Sequence, residues 1–186
     1  MKLVILDREG VVNHVPDGYV LRPDQFVPLP GSLEAIARLH HAGYCIAIAT
    51  NQAPVSRGLY DMSMLNAIHQ RMCRLVENAG GRIDAIAICP HSPEQQCGCR
   101  KPKPGMLLEL MARFGAAPEV TTMIGDTPAD LLAGRAAGCR TLLVRSGYGR
   151  STIDSGQLPP QVDVCDDLSA ATQLLLATSS PDRPAP

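Results

Sequence analysis

Leu3-Val4-Ile5-Leu6-Asp7-Arg8-Glu9-Gly10-Val11-Val12-Asn13 is the stretch that decides how the chain reads. An apolar run ending in a charged turn marks a strand buried on both faces, as in a parallel sheet. The expected strand covers residues 2–6, and Asp7 falls at its carboxyl end. A carboxylate there can ligate a hard cation through one oxygen and attack phosphorus with the other. Glu9, two residues on, can protonate a leaving group. Acidic residues are also ordinary in surface turns, so this pattern by itself leaves a plain turn open.

Working outward, similar short runs at 45–49, 83–88, 122–124 and 141–144 predict further strands, with stretches of helical period between them. Helices are expected from Ser32, as N-cap, through Leu33, Ile36, Ala37 and Leu39 to a stop at Gly43, then over 63–79, 105–114, 128–137 and 167–177. The alternation predicts an α/β fold with a doubly wound, mostly parallel, Rossmann-like sheet. Neither the segment before the first helix nor the one between Thr50 and Arg100 has room for a separate cap domain. A single domain over residues 1–178 is expected, followed by a disordered tail at 179–186, which is Pro- and Ser-containing with no apolar face.

Composition narrows the function. The 186 residues are 45% hydrophobic, enough for one sizeable core. A net charge of -1, no Trp and 3% aromatic residues argue against a nucleic-acid or membrane partner and for a small-molecule one. The first residues are strand-like and too short for a signal peptide, so the expected location is cytoplasmic. The seven cysteines are odd in number and three crowd between 89 and 99, which points to metal rather than disulfides.

Three more polar motifs fall at strand ends or helix starts: Thr50-Asn51-Gln52, Arg100-Lys101-Pro102 and Gly125-Asp126-Thr127-Pro128-Ala129-Asp130. A hydroxyl, an ammonium and two further acids are the parts that hold a phosphoryl group and its cation. Each alone is ordinary, as a turn, a solvated lysine or a helix entry. Their shared placement at the carboxyl edge of an open α/β sheet is what counts. Cys89-x-His91-x5-Cys97-x-Cys99 supplies a Cys3His set for a closed, structural Zn2+ site. Such a site would fix the adjoining Arg100 and Lys101. Cys45, Cys73, Cys139 and Cys165 read as packing residues, His14 as a solvated histidine, and His40 and His41 as helix-end residues favoured by the dipole.

With I-L-D-R-x-G-V-V-N at 5–13, T-N-Q at 50–52, C-P-H at 89–91 and C-R-K-P-x-P-G-M at 99–106, the chain resembles the haloacid-dehalogenase superfamily phosphatases. Within them it is similar to the D-glycero-D-manno-heptose 1,7-bisphosphate 7-phosphatases and the related histidinol-phosphate phosphatases. The resemblance implies that Asp7 is the nucleophile, forming an aspartyl-phosphate, and that Asp7, the Glu9 carbonyl and Asp126 hold Mg2+. It implies that Thr50, Asn51 and Gln52 bind the transferring phosphate and that Lys101 neutralises it. Asn13, Arg57 and Arg100 would recognise the rest of a sugar phosphate, and Asp130 would orient the metal-site loop. The implied activity removes the 7-phosphate of the heptose bisphosphate, in precursor synthesis for surface polysaccharide, by a monomer. Histidinol-phosphate hydrolysis and a catalytically weakened, zinc-stabilised phosphosugar-binding protein are the alternatives. Three residues depart from the family pattern: Glu9 replaces Asp, Pro54 replaces Gly, and Thr127 stands where the enterobacterial form has a lysine. The expectation is retuned or weakened catalysis, with Pro54 stiffening its loop and displacing Arg57.

Overall fold

The computed structural model describes residues 1–15, 18–156, 158–160 and 162–178; the expected tail at 179–186 lies outside the described residues. Strands β1 (Leu3–Leu6), β2 (Cys45–Asn51), β3 (Ala85–Cys89), β4 (Thr121–Gly125), β5 (Arg140–Val144) and β6 (Asp163–Cys165) form one parallel sheet in the order β3-β2-β1-β4-β5-β6. Its helices are α1 (Ser32–His41), α2 (Ala53–Ser56), α3 (Met62–Asn78), α4 (Gly105–Phe114), α5 (Pro128–Ala136), α6 (Gly149–Asp154) and α7 (Leu168–Thr178). The three-residue β6 and the short α2 and α6 were not among the expected elements. None is long enough to carry a period.

Side chains alternate across each strand, and both faces are covered. Val4, Leu6, Ile46, Ile48, Ile124 and Leu142 pack with α1, α3 and α7, while Leu3, Ile5, Ala47, Ala49 and Met123 pack with α4 and α5. Double coverage is why the strands show no polar alternation. Ser32 is not the cap of α1. Gly31 occupies that position, and the Ser32 hydroxyl instead donates to the Val12 carbonyl at 2.8 Å, tying the helix to the loop after β1. Helix α3 is capped by Asp61, whose side chain accepts from the Met64 N–H at 2.8 Å.

The strand order reverses between β1 and β4, where open sheets form a crevice at their carboxyl ends. Leu6 is in register with Ile124 on one side and Ile48 on the other. Asp7 therefore emerges between the Gly125-Asp126 and Ala49-Thr50 segments, and its N–H reaches the Ile124 carbonyl at 3.0 Å. Among the described residues, no helix is long and apolar enough to cross a membrane.

Candidate active site

Lys101 is buried, and its ammonium has three acceptors: Asp130 Oδ1 at 2.6 Å, the Ala49 carbonyl at 2.7 Å and Asp7 Oδ1 at 3.0 Å. Burial alone would lower its pKa, but the Asp130 and Asp7 carboxylates outweigh it and hold the group above its ordinary value. The acids lack matching compensation. Burial, then the Asp130 charge, pushes Asp7 up to about 7 against the pull of Lys101. Burial, then Asp7 and Asp130, pushes Asp126 up to about 8.

One carboxylate oxygen each from Asp7, Asp126 and Asp130 lie within 4.8 Å of one another. Asp126 Oδ2 accepts the Tyr148 N–H at 2.7 Å, whereas its buried Oδ1 has no partner among the described residues. Three clustered acids, one ammonium and one open oxygen fit a hard divalent cation such as Mg2+. Backbone shape serves the same approach. Gly10, at φ 80, lies so close that a Cβ there would run into the Asp126 carboxylate, and a Cβ at Gly147 would strike both Asp126 and Gly10.

A cavity of about 310 Å³ opens here, walled by Asp7, Glu9, Asn51, Arg100, Lys101, Asp126, Thr127, Asp130 and Tyr148. The fold thus gathers Asp7, Glu9, Asn51, Arg100, Lys101 and Asp126 as the sequence predicts. Asn51 clasps the Lys101 backbone from both ends, its Oδ1 accepting the N–H and its Nδ2 donating to the carbonyl, each at 3.1 Å. Thr50 and Gln52 are buried and do not wall the cavity: Gln52 Nε2 donates to the Thr50 hydroxyl at 2.8 Å, and the Tyr60 hydroxyl donates to Gln52 Oε1 at 2.5 Å.

Asn13 corrects an expectation. It is fully buried, its Nδ2 donates to the His14 carbonyl at 2.7 Å, and its backbone bridges Glu9 and Pro28. It braces the loop and is not presented to the cavity. Arg57 is exposed at the C-cap of α2, where Nη1 donates to the Tyr19 hydroxyl at 2.6 Å. Hydrogen bonds from Ser92 and its own N–H hold the Glu94 carboxyl low, with smaller contributions from Arg57 and Arg100; Arg100 walls the cavity and Arg57 does not. Pro54 sits in the first turn of α2, where its missing N–H has no intrahelical acceptor to lose, so it starts a helix rather than disturbing a loop.

Asp130 does more than orient a loop. Its Oδ2 caps α5 by accepting from the Thr127 N–H at 3.0 Å and hydroxyl at 2.6 Å, while Oδ1 anchors Lys101. The Thr127-x-x-Asp130 capping pattern was a legible signal for the first role. Nothing local pointed to the second. Glu9 is likewise engaged, through an ion pair with the fully buried Arg8 at 2.9 Å, and Arg8 and its partner His69 were not among the predicted site residues.

Beside the cavity, Cys89, His91, Cys97 and Cys99 converge. Their Sγ and Nδ1 atoms are 3.4 to 3.6 Å apart in five of the pairings. Four ligands at the vertices of a zinc–thiolate tetrahedron stand about 3.8 Å apart, so the set is already arranged for the ion. Burial pushes the Cys89 thiol up to about 12, whereas hydrogen bonds from Cys99 and the Arg100 N–H overcome burial and bring Cys97 down to about 6. Arg100 Nη1 donates to the His91 carbonyl at 3.0 Å, coupling the loop to the cavity wall. The other thiols, Cys45, Cys73, Cys139 and Cys165, are all shifted upward by burial, in keeping with packing roles.

Residues 98–171 match the family model described as HAD-hydrolase-like. The chain is 47% identical over 176 residues to a D-glycero-beta-D-manno-heptose-1,7-bisphosphate 7-phosphatase of Bordetella bronchiseptica, covering 95% of this chain and 98% of the relative. It is 44% identical to that of Pseudomonas aeruginosa, covering 94% and 97%. The crystal structure of D,D-heptose 1,7-bisphosphate phosphatase from B. bronchiseptica, complexed with magnesium and phosphate, superposes with a TM-score of 0.94 at 46% identity, covering 96% of this chain and all of that one.

Proposed function

Because the chain belongs to the D-glycero-beta-D-manno-heptose-1,7-bisphosphate 7-phosphatase family of HAD-like hydrolases, we propose that it removes the 7-phosphate of that bisphosphate through an aspartyl-phosphate on Asp7. The observation that carries this reading is the buried Lys101 ammonium, 3.0 Å from Asp7 and locked by Asp130 and Ala49. Asp7 Oδ1 is engaged by Lys101 and by the Arg8 N–H at 2.7 Å, which orients the carboxylate for attack on phosphorus. As the Asp7–phosphorus bond forms and the bond to the sugar oxygen breaks, Glu9 gives that oxygen its proton. A water then attacks phosphorus, passes a proton to Glu9 and frees Asp7.

Asp7, the Glu9 carbonyl and Asp126 would hold Mg2+, which would supply counter-charge for the phosphate. Asn51 on the cavity wall binds the phosphate and Lys101 neutralises it, while the buried Thr50–Gln52 pair supports the end of β2 that presents Asn51. Arg100 on the cavity wall, with Arg57 as a second cation for the distal end, suits the second phosphate of a bisphosphate better than the cationic end of histidinol phosphate. Cys89, His91, Cys97 and Cys99 would hold Zn2+, which would shape the loop that carries Arg100 and Lys101. One chain builds the whole cavity, so a monomer suffices, and we place it in the cytoplasm, feeding heptose precursors to surface polysaccharide.

The test is phosphate release from heptose 1,7-bisphosphate with Mg2+, beside histidinol phosphate and an Asp7→Asn control. Rapid, Mg2+-dependent release from the bisphosphate alone, abolished in the control, is expected. Release that survives Asp7→Asn, or slow and equal release from both substrates, would refute the assignment.

A further inference from the structure

Arg8 is fully buried although it carries a charge, and a buried charge persists only where it is paired. Its Nη2 donates to Glu9 Oε1 at 2.9 Å, and its Nη1 lies 3.1 Å from His69 Nε2 on α3. Arg8 can only donate, so His69 must accept through Nε2 and carry its proton on Nδ1. The guanidinium thus bridges a wall of the reaction cavity and a helix of the core.

We propose that Arg8 is the positioning residue for Glu9, with His69 as its backstop. This rests on the reading of Glu9 as proton donor to the leaving oxygen. Glu9 has one more methylene than an aspartate would have, and so one more torsion to restrain. An arm free about that torsion spends little of its time at the leaving oxygen, and an error of about an ångström can lower a rate about a hundredfold. Arg8 removes the freedom by holding one oxygen, Oε1, and leaves Oε2 to face substrate. The backbone reinforces the clamp: the N–H groups of Val12 and Asn13 both reach the Arg8 carbonyl, at 2.8 and 3.1 Å, and Gly10 N–H reaches the Asn13 carbonyl at 2.8 Å. The buried Asn13 therefore fixes the turn from which Arg8 and Glu9 project in opposite roles.

Leaving-group dependence separates positioning of an acid from general damage. Loss of a sugar alkoxide needs a proton, whereas loss of p-nitrophenolate needs almost none. The kcat/KM for heptose 1,7-bisphosphate and for p-nitrophenyl phosphate would be compared in the unaltered enzyme, Arg8→Met, Arg8→Lys, His69→Leu and Glu9→Gln. Arg8→Met is expected to lose about 10- to 100-fold on the sugar phosphate and less than about threefold on the aryl ester. Arg8→Lys, which keeps the charge but cannot fork to both partners, should recover part of that selective loss, and His69→Leu should show a smaller version of it. If Arg8→Met does not fold, the ratio in Arg8→Lys and His69→Leu decides. Equal losses on both substrates, or none, in the Arg8 and His69 variants while Glu9→Gln stays selective would overturn the positioning role alone. An unselective Glu9→Gln would overturn the acid assignment and the proposal with it.

Discussion

His69 is kept neutral inside α3 because burial, and then the nearby Arg8 guanidinium, bring its pKa down to about 3. An unfolded histidine takes up its proton near 6.5, so between those values the unfolded chain binds a proton that the folded chain refuses. Stability falls as pH drops through this window. The contribution approaches about 1.4 kcal/mol for each pH unit where only the unfolded state is protonated. His69→Gln keeps an acceptor for Arg8 but does not titrate. Urea unfolding at a series of pH values from 4 to 7 should show a shallower acid decline for the variant than for the unaltered chain; parallel curves would contradict the buried, neutral imidazole. Arg8, His69 and the second role of Asp130 were illegible at this scale in the sequence. Nothing in the run around Glu9 says that its neighbour turns inward to meet a helix sixty residues away.

At the scale of elements, the loop from the end of β3 to the start of α4 joins two functions. Cys89 ends β3 and pairs in register with Asn51 at the end of β2, and Asn51 holds the Lys101 backbone. A metal ion held by Cys89, His91, Cys97 and Cys99 would therefore fix both ends of the segment that delivers Arg100 and Lys101. Binding to a site absent from the unfolded chain also stabilises the fold. Cys99→Ser should reduce bound zinc, measured by elemental analysis, and lower Tm by several degrees. Its phosphatase kcat should drop by an order of magnitude or more as Lys101 loses its support. Full activity in a zinc-free variant would separate the loop from catalysis. The ligand spacing was readable because all four lie within eleven consecutive positions. The clasp between Asn51 and Lys101 was not, since it depends on how β2 and the loop align.

The whole molecule carries a conflict between stability and binding. Asp7, Asp126 and Asp130 are gathered where the sheet order reverses, with Lys101 paired to Asp7 and Asp130 but not to Asp126. Burial and mutual repulsion raise Asp126 to about 8 from an ordinary 3.8. A carboxyl whose folded pKa is raised destabilises the fold as pH climbs from the ordinary value through the raised one. Near pH 7 without Mg2+, Asp126→Asn should therefore be more stable than the unaltered chain, by about 1 kcal/mol or more, or a Tm increase of roughly 2–4 °C per kcal/mol for a chain of this size. Saturating Mg2+ should raise the Tm of the unaltered chain and leave the variant nearly unchanged. Thermal denaturation with zinc retained and Mg2+ varied measures both, and a variant less stable without Mg2+ would count against this electrostatic account.

The sequence by itself determined the strand and helix alternation, the carboxylate at the end of β1, the ammonium near the start of α4 and the close spacing of three cysteines and a histidine. Each is written in a contiguous stretch: periodicity, a turn after an apolar run, or close ligand spacing. Only the tertiary structure decided that Asn13 braces a loop, that Thr50 and Gln52 join a buried network with Tyr60, that Asp130 anchors Lys101, and that Arg8 holds Glu9 against His69. Those outcomes turn on burial and on contacts between residues far apart in the chain. A side chain's exposure and its distant partner exist only once the strand register and helix packing have been set.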